Sequence, residues 1–165
     1  MKRCFSLLII LTFLTFPVDV TSVKRQGTGS GVQFSINAVS ERDRVIFYLE
    51  LKNDSASEVE LLFPTSQEYE IIVTDSKGQE VYRFSDGKAF AQALKKVRLK
   101  PGEKKRWSES WNYMVEDKMA ESGKATAQAI LKARIVNNKE NLKLQDRKRF
   151  AIPFNTDDKH PSNCD

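Results

Sequence analysis

Histidine, cysteine and glycine are scarce in this 165-residue chain, which has one, two and seven of them. Each shortage removes a class of function. Nucleophilic catalysis of the Ser–His–Asp or Cys–His kind needs a base held rigidly by packing and by a third group. The lone histidine, His160, sits in the polar run Asp157-Asp158-Lys159-His160-Pro161, which offers a base no such frame. A zinc site needs several His, Cys or carboxylate ligands on a stable scaffold. His160, Cys164, Asp157 and Asp158 would form a weak adventitious site and nothing stronger. No glycine-rich phosphate loop leads into a helix. The carboxylate pairs Glu58/Glu60 and Glu116/Asp117 lie in polar stretches that read as solvated surface, not as the cleft that acid–base chemistry requires. No enzyme activity, catalytic residue, metal or cofactor is expected.

Long apolar runs are equally scarce. The one at residues 5–16 is about a dozen residues, short of the ~20 that span a bilayer. Lys2 and Arg3 precede it, Pro17 breaks it, and Val20-Thr21-Ser22 offers small residues where a signal peptidase reads. Residues 1–22 are therefore expected to be a cleaved signal peptide. The protein would be secreted, periplasmic or held in the cell envelope, with no stable membrane insertion. Cleavage removes Lys2, Arg3 and Asp19, which lowers the formal charge by one from +5. It also removes Cys4, so Cys164 has no intramolecular partner: an unpaired tail thiol is favoured over a pair between molecules, and the fold must hold by core packing.

What remains has the size of one domain. Residues 23–31, with Gly27, Gly29 and Gly31, read as a flexible leader; residues 156–165 read as a polar tail. Between them, residues 32–155 alternate. Val32, Phe34, Ile36 and Ala38 share one face, as do Val45, Phe47, Leu49 and Leu51. Period 2 is the mark of a strand with one buried side. Residues 59–63 form a third strand, ended by Pro64. Residues 68–87 read as a hairpin turning at Asp75 and Gly78, since glycine supplies the positive φ of a tight turn. Residues 94–100 and 104–111 read as a further pair around Pro101-Gly102, with Trp107 and Trp111 on one face. Residues 113–123 suggest a short helical turn closed by Gly123. Residues 124–136 suit helix or strand, and the strand is favoured because its neighbours are strands. In the last run, Phe150, Ile152 and Phe154 share a face, and Pro153 confines the strand to a sheet edge. Eight or nine strands in this spacing predict an all-β, antiparallel β-sandwich in a single domain.

Two features of this surface invite binding. Lys96, Arg98 and Lys100, with Lys104 and Arg106 on the expected partner strand, form one basic stripe; Arg147-Lys148-Arg149 forms another. A solvated sheet face is the favoured reading of both; as binding surfaces they would suit an envelope component or an acidic protein, the setting for a non-inhibitory binding module. Nucleic acid is not expected, for the charge is modest and no recognised module is present. Loops on a rigid sandwich are the other common binding device. Ser85, Asp86, Gly87 and Lys88 form a polar tip between Phe84 and Phe90, rings that read as core anchors. Pro64, Thr65, Ser66 and Gln67 form a second loop, stiffened by its proline.

A longer pattern runs through these loops. It includes Leu49-x-Leu51-x-Asn53 and Leu62-Phe63-Pro64-Thr65-Ser66-Gln67-x-Tyr69-Glu70. It continues through Val73-x-Asp75-x-x-Gly78-x-Glu80-Val81-Tyr82-Arg83-Phe84-Ser85-Asp86-Gly87-Lys88-x-Phe90-x-Gln92-Ala93, then Leu99-x-Pro101-Gly102-Glu103 and Trp111. In order and spacing, residues 32–112 resemble the BsuPI family, the intracellular proteinase inhibitors. The resemblance implies an immunoglobulin-like sandwich that binds and inhibits a protease, of the subtilisin-like serine class, without cofactor or catalytic residues. It transfers no reactive-site residue. Ser85–Lys88 and Pro64–Gln67 are the protease-contact candidates read from this chain.

Overall fold

The computed structural model describes residues 31–136 and 143–154. The expected signal peptide at residues 1–22, most of the expected leader, and the expected tail with His160 and Cys164 lie outside the described residues. Among those described, there are twelve strands and no helix. The expected alternation is realised in β1 (Val32–Ser40) and β2 (Val45–Asn53), which pair antiparallel from Val32↔Asn53 to Ser40↔Val45. Val32, Phe34, Ile36, Val45, Phe47, Leu49 and Leu51 are buried. The next elements are β3 (Val59–Phe63), β4 (Tyr69–Thr74), β5 (Glu80–Arg83), β6 (Lys95–Leu99) and β7 (Lys104–Trp111). After them come β8 (Met114–Val115), β9 (Lys118–Met119), β10 (Gly123–Leu131), β11 (Arg134–Ile135) and β12 (Gln145–Ile152).

The strands form three antiparallel sheets, β1-β2-β7, β12-β10-β4-β5 and β11-β3-β6, with β8 and β9 as a small ribbon. Their inward faces share one core in a sandwich-like arrangement. Aromatic rings join the layers: Phe47 meets Phe150 edge-on at 5.7 Å between centroids and stacks with Tyr82 at 6.3 Å, and Tyr82 stacks with Trp111 at 5.4 Å. The β4–β5 hairpin turns as its residues require. Asp75 Oδ1 accepts from the amides of Lys77 and Gln79, both at 2.8 Å, and Gly78 takes φ +82°. Residues 123–131 are strand, and β12 is an edge strand that ends before Pro153. Phe154, expected on the buried face, is exposed.

Two expectations are corrected. Residues 95–99 and 104–111 do not pair across Pro101-Gly102: β6 joins β3, and β7 joins β2. The turn signal is real, but it serves a corner between sheets. Asn53 explains the corner. Its backbone amide donates to the Glu103 carbonyl at 3.0 Å, and its own carbonyl accepts from Gly102 N at 2.8 Å. Its fully buried side chain donates to the carbonyls of Leu99 and Ser57, at 2.9 and 2.8 Å, and accepts from the Ser55 amide at 2.9 Å. One residue at the end of β2 thus satisfies the backbone where β6 leaves one sheet and β7 enters another. The second correction concerns residues 113–123, which form the β8–β9 hairpin rather than a helical turn. Glu116 and Asp117 take φ +48° and +64°, the double positive φ of a two-residue hairpin turn. The Ala120 amide closes it on the Tyr113 carbonyl at 2.7 Å.

Replacing Asn53 with alanine strands the buried Leu99 carbonyl and is expected to cost about 1–3 kcal/mol, a cost set by an unmet buried hydrogen bond. Urea unfolding checks this, and a loss below about 0.5 kcal/mol, the scale of a neutral surface change, would contradict the role of the corner.

Candidate functional site

The two candidate loops fall side by side. Residues 64–68 join β3 to β4, and residues 84–94 join β5 to β6. Each leaves a strand of a different sheet, and Glu70 binds them together. This side chain, next to the start of β4, is buried. One carboxylate oxygen accepts from the Gln67 side-chain amide at 3.1 Å. The other accepts from the Ser85 backbone amide at 3.1 Å and from Ile71 N at 3.2 Å. A second tie lies further out: Ser66 N donates to the Ala91 carbonyl, and Ala91 N donates to Ser66 Oγ, both at 2.9 Å. Gln67 and Ser85 are therefore the inner residues of the candidate set, half-buried and fixed. Pro64, Ser66, Asp86, Gly87 and Lys88 are exposed at the rim, and Thr65 is half-buried.

The tip is held by turn chemistry. Asp86 N donates to the Arg83 carbonyl at 3.2 Å and Lys88 N to the Ser85 carbonyl at 3.1 Å, with Gly87 at φ +69°. Lys88 folds back so that its Nζ lies 3.5 Å from the centre of the Phe84 ring and 3.8 Å from Glu109. Phe84 and Phe90 are half-buried, as core anchors should be, with Phe84 against Tyr69 at 4.6 Å between centroids and Phe90 against Phe84 at 6.1 Å. With Trp107, 5.9 Å from Tyr69, these rings floor an open groove of about 380 Å³ between the loops and β7.

β7 contributes residues that sequence reasoning did not select. Lys105, Trp107 and Glu109 occupy the same phase as buried Trp111 and are half-buried, and the first two line the groove. Glu68 accepts from Trp107 Nε1 at 2.6 Å, lies 3.2 Å from Lys105 Nζ and is also paired with Lys95. Burial alone would raise the Glu68 carboxyl. The hydrogen bonds from Lys95 and Trp107 and the charge of Lys105 outweigh it and hold the group below its ordinary value of 4.5. Glu109 accepts from the Tyr69 hydroxyl at 3.4 Å; burial, then the Glu109 charge, push that phenol up to about 12. The legible signal was charge at inward positions, since Lys105 and Glu109 alternate with the two tryptophans.

The basic stripes differ from the loops. Lys96 and Arg98 are matched by Glu60 at 3.4 and 3.0 Å, and Lys104 and Arg106 by Glu50, both at 2.8 Å. The two groups lie in different sheets, each facing its own acidic residue. Hydrogen bonds from Lys104 and Arg106 hold Glu50 below the usual carboxylate range. The first stripe is thus largely neutralised within the surface. Arg147 and Arg149 line a shallow polar hollow with Thr74, Thr126 and Gln128 on the outer face of β4, β10 and β12.

The described residues form an all-β scaffold that presents two clasped loops. The family model described as BsuPI, intracellular proteinase inhibitor, matches residues 32–136, and the chain belongs to that family. The match reaches past residue 112, through β10 and β11. The family is one of inhibitors, so the chain is not an enzyme by descent. A search of curated proteins gives no significant match. Among solved structures, a beta-glucuronidase 2 of Bacteroides uniformis bound to a cyclophellitol aziridine is 16% identical, over 73% of this chain and 13% of its own, with a TM-score of 0.38. The DNA glycosylase AlkC of Pseudomonas fluorescens is 11% identical, over 78% and 32%, at 0.39. A penta-heme cytochrome c552 of Thermochromatium tepidum is 8% identical, over 74% and 40%, at 0.41. The chain spans well under half of each of these proteins, and likenesses this weak carry neither fold nor function.

Replacing Glu70 with alanine leaves the Gln67 and Ser85 donors without their buried acceptor and is expected to cost about 1–3 kcal/mol. It should also speed amide exchange at Ser85, with glutamine intermediate; unchanged exchange in the alanine variant would contradict the clasp. Glu68 adds a pH dependence. Its folded pKa lies below the unfolded value, so its stabilisation is present above pH 4.5 and is lost as pH falls through the folded pKa. The stability gap between wild type and Glu68→Gln should therefore narrow on acidification; a gap constant from pH 6 to 3 would contradict it.

Proposed function

We propose that this protein is exported and blocks a subtilisin-like serine protease by filling its substrate cleft with the two clasped loops. The observation that carries the reading is the tie of Pro64–Gln67 to Ser85–Lys88 through buried Glu70 and the Ser66–Ala91 pair. A loop that is rigid before binding forfeits little entropy on docking, and that is how short segments bind tightly. A rigid loop also resists being drawn into the geometry of cleavage. Family membership supports a protease as the partner. The basic start and short apolar run of residues 1–22 support export, so the target is met outside the cytoplasm, whatever compartment the family's description names.

Titration of a subtilisin-like protease with residues 23–165 should abolish hydrolysis of a small peptide substrate near one equivalent. The double substitution Asp86→Ala/Lys88→Ala should weaken inhibition about tenfold or more, as for residues central to an interface, while the lost Lys88–Phe84 contact lowers stability by no more than about 1 kcal/mol. Wild-type inhibition by that variant would overturn the assignment of the tip. No inhibition by the wild-type protein would overturn the serine-protease reading.

A further inference from the structure

Resting on the inhibitor reading, we infer that residues 89–94 are the stretch that enters the protease cleft, with Leu94 seated in an apolar specificity pocket of the target. Three observations meet here. Leu94 precedes β6 and is 73% exposed, although its neighbours in sequence are small or charged and give it no apolar cover. An isolated exposed leucine is ordinary, so its setting decides the matter. The stretch from Ala89 to Leu94 belongs to no strand, and all of its residues except Phe90 are exposed. Ala89, Ala91 and Ala93 have small side chains that let another main chain come close.

The stretch is also anchored from behind. Phe90 packs on Phe84, Ala91 is tied to Ser66 through both its amide and its carbonyl, and Ala93 N donates to the Ala91 carbonyl at 2.9 Å. The β3–β6 ladder ends with Phe63↔Lys95, so one further step sets Leu94 beside Pro64, the first residue of the other candidate loop. Lys95 is paired with Glu68, which fixes the chain just after Leu94. The Ala93–Ala91 hydrogen bond closes a three-residue turn at Gln92, so the stretch is a braced bend and not an extended strand. What it offers a cleft is its uncovered leucine, the kind of side chain that a specificity pocket reads. The Ser85–Lys88 tip and Pro64–Gln67 then flank it and set its entry angle.

The test compares Leu94→Asp and Leu94→Met with the wild-type exported form, residues 23–165, against a subtilisin-like protease, with thermal unfolding of all three. Leu94→Asp would place a carboxylate in an apolar pocket and should raise the inhibition constant about 30-fold or more, the scale of an interface anchor. Leu94→Met, similar in volume, should stay within about fivefold. Unfolding should not change, because the side chain is exposed. Potent wild-type inhibition that Leu94→Asp leaves intact would overturn this inference while the inhibitor reading stands. Absence of inhibition by the wild-type protein would overturn both.

Discussion

A single buried carboxylate organises the functional end of this molecule. Glu70 lies on the face of β4 that should look outward, yet Tyr69, Glu70 and Ile71 are all buried in succession. That is possible because the chain after β5 folds over this end of the sheet and offers the Ser85 amide, while Gln67 closes from the other side. A carboxylate out of water is costly unless donors surround it. Glu70 has three, two of them from the loops and one from the adjacent Ile71 amide, so it is fully satisfied only while both loops are in place. The loops are positioned by the same requirement that keeps Glu70 from being a liability.

The rest of the scaffold serves that end. The β1-β2-β7 sheet supplies Trp107 and Lys105, and the neighbouring sheet supplies Tyr69, so the groove floor is shared between layers. Glu68 links them again, accepting from Trp107 and lying between Lys95 and Lys105. At the far end of β2, Asn53 does for backbone what Glu70 does for loops, meeting the polar groups that a change of sheet leaves over. Two buried polar residues with complete hydrogen bonding thus stand at the irregular corners, and apolar alternation fills the space between.

Alternation was the legible part. Phe34, Phe47, Leu49 and Ile71 follow period 2 with turn residues between them, and strands buried on one side advertise themselves in that way. Partners were less legible. Pro101-Gly102 marks a turn but not whether the strands on either side share a sheet, since that depends on β2 and β3 competing for them from far along the chain. Residues 113–123 were misread as helical because helix-forming residues outnumber turn residues there, while Glu116 adopts a positive φ that its type rarely takes. For the site, both loops were visible as polar segments between strands. The clasp was not, because a glutamate within an alternating strand reads as solvent-facing until a distant loop is known to cover it.

Inhibition by the clasped loops requires that this end of the sandwich be the surface that meets the protease. Amide hydrogen exchange of the protein alone and in complex with a subtilisin-like serine protease would measure it directly. Protection gained at residues 64–67 and 85–94, with the outer face of β10 and β12 unchanged, is the predicted result. Protection centred on the Arg147 and Arg149 face, with both loops exchanging as freely as before, would contradict it.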